Sequence, residues 1–125
     1  MTQSAGDLVT EFCALWAKPD PEKILGYFTE DAVYHNIPMP PAEGRAAIKD
    51  FLGVMLDGFE GIDFRIHRQF SQGDVVMNER TDVMHRTDGG RLELPVMGVF
   101  EVRDGHISAW RDYFDLGTVT AAFSS

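Results

Sequence analysis

From residue 62 onward the apolar residues stop recurring at helical spacing and begin to alternate, and this change of period restricts the chain more than any other feature. IDFRIHRQFSQ, VVMNERTDVMHRT, LELPVMGVFEVR and HISAWRDYFD each read as a strand, because successive side chains of an extended backbone point to opposite faces. The linkers QGD, DGG and DG are short and contain glycine, as tight antiparallel connections require, and Asp104-Gly105 is the strongest hairpin signal. Neighbouring strands are therefore expected to pair in order. In the third of them Leu92, Leu94, Val96, Gly98, Phe100 and Val102 form an apolar face opposite Glu93, Pro95, Met97, Val99, Glu101 and Arg103. Such a face has to be covered.

The first sixty residues supply the cover. Ser4 followed by Asp7 resembles a capping pair, and Leu8, Phe12, Leu15 and Trp16 recur at helical spacing, predicting a helix over about 5 to 17. Asp20 before Pro21 starts a second helix with Ile24, Leu25 and Phe28 on its apolar face, ending near Thr29. DAVYHNIPMPP is a short strand closed by prolines. GRAAIKDFLGVMLDGF returns to helical periodicity through Ile48, Phe51, Leu52, Met55 and Phe59. Asp115 before LGTVTAAF is best read as a helix-start cap. The economical arrangement is α+β: a strongly curved sheet packed on one side by three N-terminal helices, with curvature enough to form a pocket. With no repeat, low-complexity run or long linker in 125 residues, one domain over residues 1–125 is expected.

Composition excludes several functions. Eleven basic against twenty acidic residues give a net charge of −9, which disfavours nucleic acid and anionic membrane surfaces as partners. No apolar run approaches bilayer-spanning length, and MTQSAGDLV lacks the regions of a signal peptide, so the cytoplasm is the default location. Cys13 is the only cysteine; it can form no internal disulfide, and in an apolar helical run it is expected to be a buried, inert thiol. The four histidines are scattered and build no metal motif. There is no nucleophile elbow, dinucleotide loop or phosphate loop. No metal or cofactor is expected.

The charges inside NERTDVM then need a reason. Asn78, Arg80, Asp82 and Met84 share one strand face. On a solvent face Arg80 and Asp82 would be an ordinary surface pair; lining a cavity, they would be costly to desolvate and functional. In the last strand Trp110, Asp112 and Phe114 share a face, while Arg111 is read as an outward partner for an acidic neighbour. Asp112 is either an edge-of-core carboxylate paired with an arginine or one end of an Asp82-Arg80-Asp112 bridge over the apolar wall. Such a bridge has a chemical use, because two desolvated carboxylates can hold different protonation states while a guanidinium that cannot deprotonate orients both. Tyr34 and Asn36, same-face neighbours in YHN, either pack a loop or offer a hydroxyl and an amide to hold a water.

Taken together, Tyr-X-Asn-X-Pro-X-X-Pro in YHNIPMPP, Arg-X-Asp in ERTDV, and GVFEVRDGHISAWRDYFDL resemble limonene-1,2-epoxide hydrolase along nearly the whole chain. The resemblance implies the cone-shaped fold of nuclear transport factor 2, ketosteroid isomerase and the small polyketide cyclases, a cystatin-like α+β class. It also implies one-step epoxide opening to a vicinal diol without a covalent intermediate or cofactor. It makes Asp82 the general acid, Arg80 the bridge, Asp112 the general base, and Tyr34 with Asn36 the holders of the water. The family's pocket is apolar, so Met84, Leu94, Val96 and Phe114 would line it for a small apolar epoxide, and a homodimer is the common assembly. Two competing readings keep the fold: an isomerase or cyclase, which needs one base and an oxyanion donor, and a non-catalytic binder of an apolar ligand.

Overall fold

The computed structural model describes residues 3–123. The Ser4 hydroxyl accepts from the Asp7 amide at 3.1 Å and starts α1 (Ala5–Ala14), which buries Leu8, Val9, Phe12 and Cys13. The chain then tightens into a 3₁₀ turn, Leu15–Ala17, that buries Trp16. Asp20 caps α2 (Pro21–Gly26) through the Glu22 amide, with Pro21 in the first turn, where a missing N–H costs nothing. This helix stops short of the predicted Thr29. Phe28 opens β1 (Phe28–Asn36), and the Ile107 amide bonds the Tyr27 carbonyl at 2.7 Å, so sheet pairing overrides the helical periodicity there.

Two residues, Ala42–Glu43, form β2, and α3 (Arg45–Met55) follows Gly44, whose φ is 87°. The predicted extension of α3 to Phe59 also fails. Gly58 turns the chain at φ 91°, and Phe59 begins β3 (Phe59–Gln72). A meander follows: β4 (Val75–Arg86), β5 (Arg91–Arg103) and β6 (His106–Tyr113), each antiparallel to its predecessor as expected. Asp115 then caps α4 (Leu116–Phe123), accepting from the Gly117 amide at 3.3 Å and the Thr118 hydroxyl at 2.8 Å. In-order pairing does not extend to β1. The sheet order is β2-β1-β6-β5-β4-β3, with β1 parallel to β6, so the sheet is mixed.

The core lies between the helices and the concave face. Phe12 of α1 is its hub, with Trp16, Tyr27, Phe28, Phe100 and Trp110 at ring separations of 5.1–6.3 Å. Aromatic faces and edges at such distances contribute beyond the area they bury. Among the described residues no helix is long and apolar enough to cross a membrane.

One close approach fixes how the 3₁₀ turn seats on the sheet. A Cβ on Gly61 would lie 2.2 Å from the Ala17 carbonyl oxygen, a backbone atom with no rotamer by which to yield. Gly61→Ala should therefore destabilise the fold by about 1–3 kcal/mol, the usual range for overpacking. Urea unfolding checks this: the midpoint should fall with an unchanged slope.

Candidate active site

Alternation along β4 turns Val76, Asn78, Arg80 and Asp82 into the interior while Val75 and Met77 face out. Asp82 lies opposite Leu94 on β5, and Asn78 lies opposite Gly98, which in turn faces Asp112 on β6. Arg80 and Asp112 are thus two strands apart, about 10 Å at ordinary sheet spacing. The arginine side chain spans that gap by passing over Gly98. A Cβ at Gly98 would sit 2.3 Å from Arg80 Nη1 and 2.8 Å from Asp112 Oδ1; no other residue leaves room for the crossing.

Every N–H of the guanidinium has an acceptor. Arg80 Nε donates to Asp82 Oδ1 and Nη2 to Asp82 Oδ2, both at 2.9 Å. Nη2 also reaches Asp112 Oδ2 at 2.9 Å, and Nη1 reaches Asp112 Oδ1 at 3.3 Å and Asn78 Oδ1 at 2.9 Å. Arg80 is 1% exposed, Asp82 3% and Asp112 4%, and the guanidinium carbon lies 4.7 Å from the centre of the Phe64 ring, a cation–π distance. Burial works against the arginine's charge, but the two carboxylates outweigh it and hold it firmly cationic. For Asp82 burial prevails. It pushes the carboxyl above the ordinary carboxylate value, the Asp112 charge pushes the same way, and the bonds from Arg80 only partly offset this.

The parallel β1–β6 register supplies the rest of the site. Tyr34 lies beside Trp110 and Asn36 beside Asp112. The Tyr34 ring stacks on Trp110 at 4.2 Å, nearly parallel at 6°, and the Trp110 indole donates to Asp112 Oδ1 at 2.7 Å. Oδ1 of Asp112 therefore receives two donors and Oδ2 only Arg80 Nη2, which leaves Oδ2 the freer oxygen. Burial, followed by the Asp112 charge, raises the Tyr34 hydroxyl well above its usual value, while the Asn36 amide pulls it down. The hydroxyl stays protonated and can donate.

These groups line one wall of a cavity of about 250 Å³. Asp82, Asp112, Tyr34 and Asn36 all face it, and so do Met84, Leu94, Val96 and Phe114, so each residue singled out in the sequence borders the same space except Arg80, which lies behind the two carboxylates. The structure adds Trp16, Phe51, Ile62 and Phe64 to the apolar wall. Trp16 and Phe51 were legible only as helix faces; the sequence does not separate a face that meets the sheet from one that meets a cavity. Gly98 carried a usable signal, a glycine on the inward face of a central strand. Cys13 is buried on α1, and burial pushes its thiol up to about 12, too high to serve as a nucleophile at neutral pH. Among the described residues no group of three His, Cys, Asp or Glu side chains is placed to hold a metal ion.

Comparison with known proteins identifies relatives of the chain. The epoxide hydrolase EphG of Mycobacterium tuberculosis is 39% identical over 87 residues, 70% of this chain and 57% of that protein; the chain thus matches little more than half of that relative's length. A solved LEH-like epoxide hydrolase from M. tuberculosis superposes with a TM-score of 0.81 at 32% identity, covering 94% of this chain and 86% of that one. A Catenulispora acidiphila protein with a ketosteroid isomerase-like fold, solved with trimethylamine, superposes at 0.80 and 22% identity over 97% and 92% of the two chains, a likeness of fold. Residues 9–110 match the model of the SnoaL-like domain, and with the mixed sheet, the covering helices and these relatives in agreement, the chain belongs to the SnoaL-like family and carries its NTF2-like α+β fold.

Proposed function

We propose that this protein is a cofactor-independent epoxide hydrolase that adds water to a small apolar epoxide and gives a vicinal diol in one step. The observation that carries the reading is the buried Asp82-Arg80-Asp112 bridge opening on an apolar cavity. The epoxide hydrolases among its relatives support the reaction class. The cavity falls slightly below the usual range of about 300–1,000 Å³ for ligand pockets, which favours a compact terpene-like or cyclic substrate.

In this mechanism Asp112 takes a proton from a water held by the Tyr34 hydroxyl and the Asn36 amide. The water oxygen bonds to an epoxide carbon, the carbon–oxygen bond of the ring breaks, and Asp82 delivers its proton to the departing oxygen. No free alkoxide forms. Asp112 then holds a proton that Asp82 lacks, and transfer through the bridged network or solvent restores the starting state. Arg80 keeps one positive charge between the two carboxyls throughout, so whichever is ionised has a partner. A passive binder has no use for a protonated carboxyl held beside an ionised one; an isomerase can use such a carboxyl as an oxyanion donor, and it is the epoxide hydrolases among the relatives that favour hydrolysis over that reading. The whole chain acts as one domain, in the cytoplasm.

A homodimer accounts for the outward face of the sheet. Phe70 lies directly opposite Met77, and Met97 opposite Tyr113; all four are exposed, Phe70 at 72%. An apolar patch of this kind on the back of a sheet suits self-association. Sedimentation should give a dimer for the wild type and a monomer for the double variant Phe70→Glu, Met97→Glu.

Asp82→Asn and Asp112→Asn should each fold and each lower kcat by ~10²–10⁴-fold, the usual contribution of a positioned acid or base. Diol formation in steady state checks this. Activity should fall as pH rises through the raised Asp82 value, where the acid is lost. Stability carries the same signature: above 3.8 the unfolded chain releases a proton that folded Asp82 still holds, so this group's contribution declines as pH rises through that window. Denaturation across pH should show the decline in the wild type and its absence in Asp82→Asn.

A further inference from the structure

Asp82, Arg80 and Asp112 leave one guanidinium hydrogen unaccounted for, and its acceptor is Asn78. This side chain is 1% exposed, and the mechanism above assigns it nothing. Its orientation follows from donor chemistry alone. Arginine can only donate, so the amide oxygen of Asn78 must face Nη1, at 2.9 Å. The Asn78 amide nitrogen must then donate to Gln69 Oε1, at 3.1 Å. That leaves the Gln69 amide nitrogen to donate to the Gly6 carbonyl at 3.2 Å and the Thr10 hydroxyl at 3.0 Å, and Thr10 itself donates back to the Gly6 carbonyl at 3.0 Å. A single polarity runs from the guanidinium to the backbone of α1, and neither amide can flip without opposing two donors.

We infer that Asn78 is a positioning residue: anchored through Gln69 to α1, it takes the fifth guanidinium N–H and keeps Arg80 in its two-bond grip on Asp82 instead of turning toward Asp112. The bond lengths show where the guanidinium would go without it. Nη1 lies 2.9 Å from Asn78 but 3.3 Å from Asp112 Oδ1, the remaining acceptor on that side. A buried N–H stripped of its partner seeks another, and rotation toward Oδ1 draws Nε away from Asp82. The Asp82 carboxyl would lose part of what opposes its desolvation and would bind its proton more tightly. The titratable groups facing Arg80 are Asp82 on β4, Asp112 on β6, Tyr34 on β1 and Cys13 on α1; β3 and β5 present Phe64, Gly98 and Phe100, which do not titrate.

The inference rests on the acid-base role proposed for Asp82, and its test separates the two. Carbon-13 NMR of the substrate-free protein follows the Asp82 carboxyl through pH, and turnover of an epoxide panel is measured in parallel. Asn78→Leu, nearly isosteric but without an acceptor, should move the Asp82 titration upward by about one unit, a tenfold change in proton affinity. It should also lower kcat about tenfold while KM stays within about twofold, the split expected when positioning and not binding is lost. Asn78→Thr, whose hydroxyl can accept from Arg80 and donate to Gln69, should restore wild-type behaviour. Gln69→Leu, which keeps the acceptor but frees it, should move the titration the same way by less, and decides the matter if Asn78→Leu does not fold. An unmoved Asp82 titration in a folded Asn78→Leu or Gln69→Leu protein would overturn the inference, as would a Thr variant displaced as far as the Leu variant. A displaced titration in a protein whose wild type opens no epoxide would uphold the positioning role and refute the proposed reaction instead.

Discussion

A guanidinium buried between two carboxylates is the constraint to which the rest of the structure answers. A cation and the carboxyls that face it are costly to remove from water, and their mutual attraction offsets this only when every donor and acceptor is satisfied. Here five N–H groups meet five acceptor contacts. The requirement reaches into neighbouring elements. It makes Gly98 obligatory on β5, because any side chain there would occupy the crossing, and it fixes the amide of Asn78 and through it that of Gln69. Removing Asp112 outright, by Asp112→Leu for example, takes from the buried cation the carboxylate that the mechanism needs ionised, and breaking a buried pair typically costs about 3–5 kcal/mol.

The fold turns this liability into a site by surrounding it asymmetrically. Phe64 and Phe100 flank the guanidinium, while the cavity side of the carboxylates stays open to a ligand. Asp82, held by arginine alone, is raised by desolvation, whereas Asp112 also receives the Trp110 indole. Two chemically identical side chains thus stand in different surroundings, the condition under which one carboxyl can serve as acid and the other as base. The parallel strand β1 brings two neutral polar groups, Tyr34 and Asn36, to the side of Asp112. The mixed character of the sheet therefore has a chemical consequence as well as a topological one.

What the sequence disclosed followed from local periodicity. Alternation along VVMNERTDVMHRT was enough to put Asn78, Arg80 and Asp82 on one face, and the inward position of Leu94 and Val96 followed in the same way. What it hid depends on contacts distant in the chain. Phe28 continues the helical pattern of Ile24 and Leu25, yet it enters a strand because its backbone pairs with Ile107, far along the sequence. The parallel placement of β1 has no local signature at all, and neither does the two-residue β2. Trp16 was visible as apolar and helical, but its place on the cavity wall depends on how far the sheet curves away from α1. Asn78 was visible only as a polar residue on the strand face of Arg80 and Asp82; that it is buried with the bridging arginine as its partner required the rotamers of both.

The proposed chemistry is tested most directly by a single turnover in heavy-oxygen water, with enzyme in excess over a cyclic epoxide and the masses of both diol and protein recorded. Direct attack by a water activated at Asp112 predicts that the diol of the first turnover carries the heavy oxygen and that the protein carries none. An unlabelled first-turnover diol, with heavy oxygen appearing in an aspartate of the protein, would contradict it and mean that a carboxylate attacks the epoxide and that water then hydrolyses the resulting ester at its carboxyl carbon.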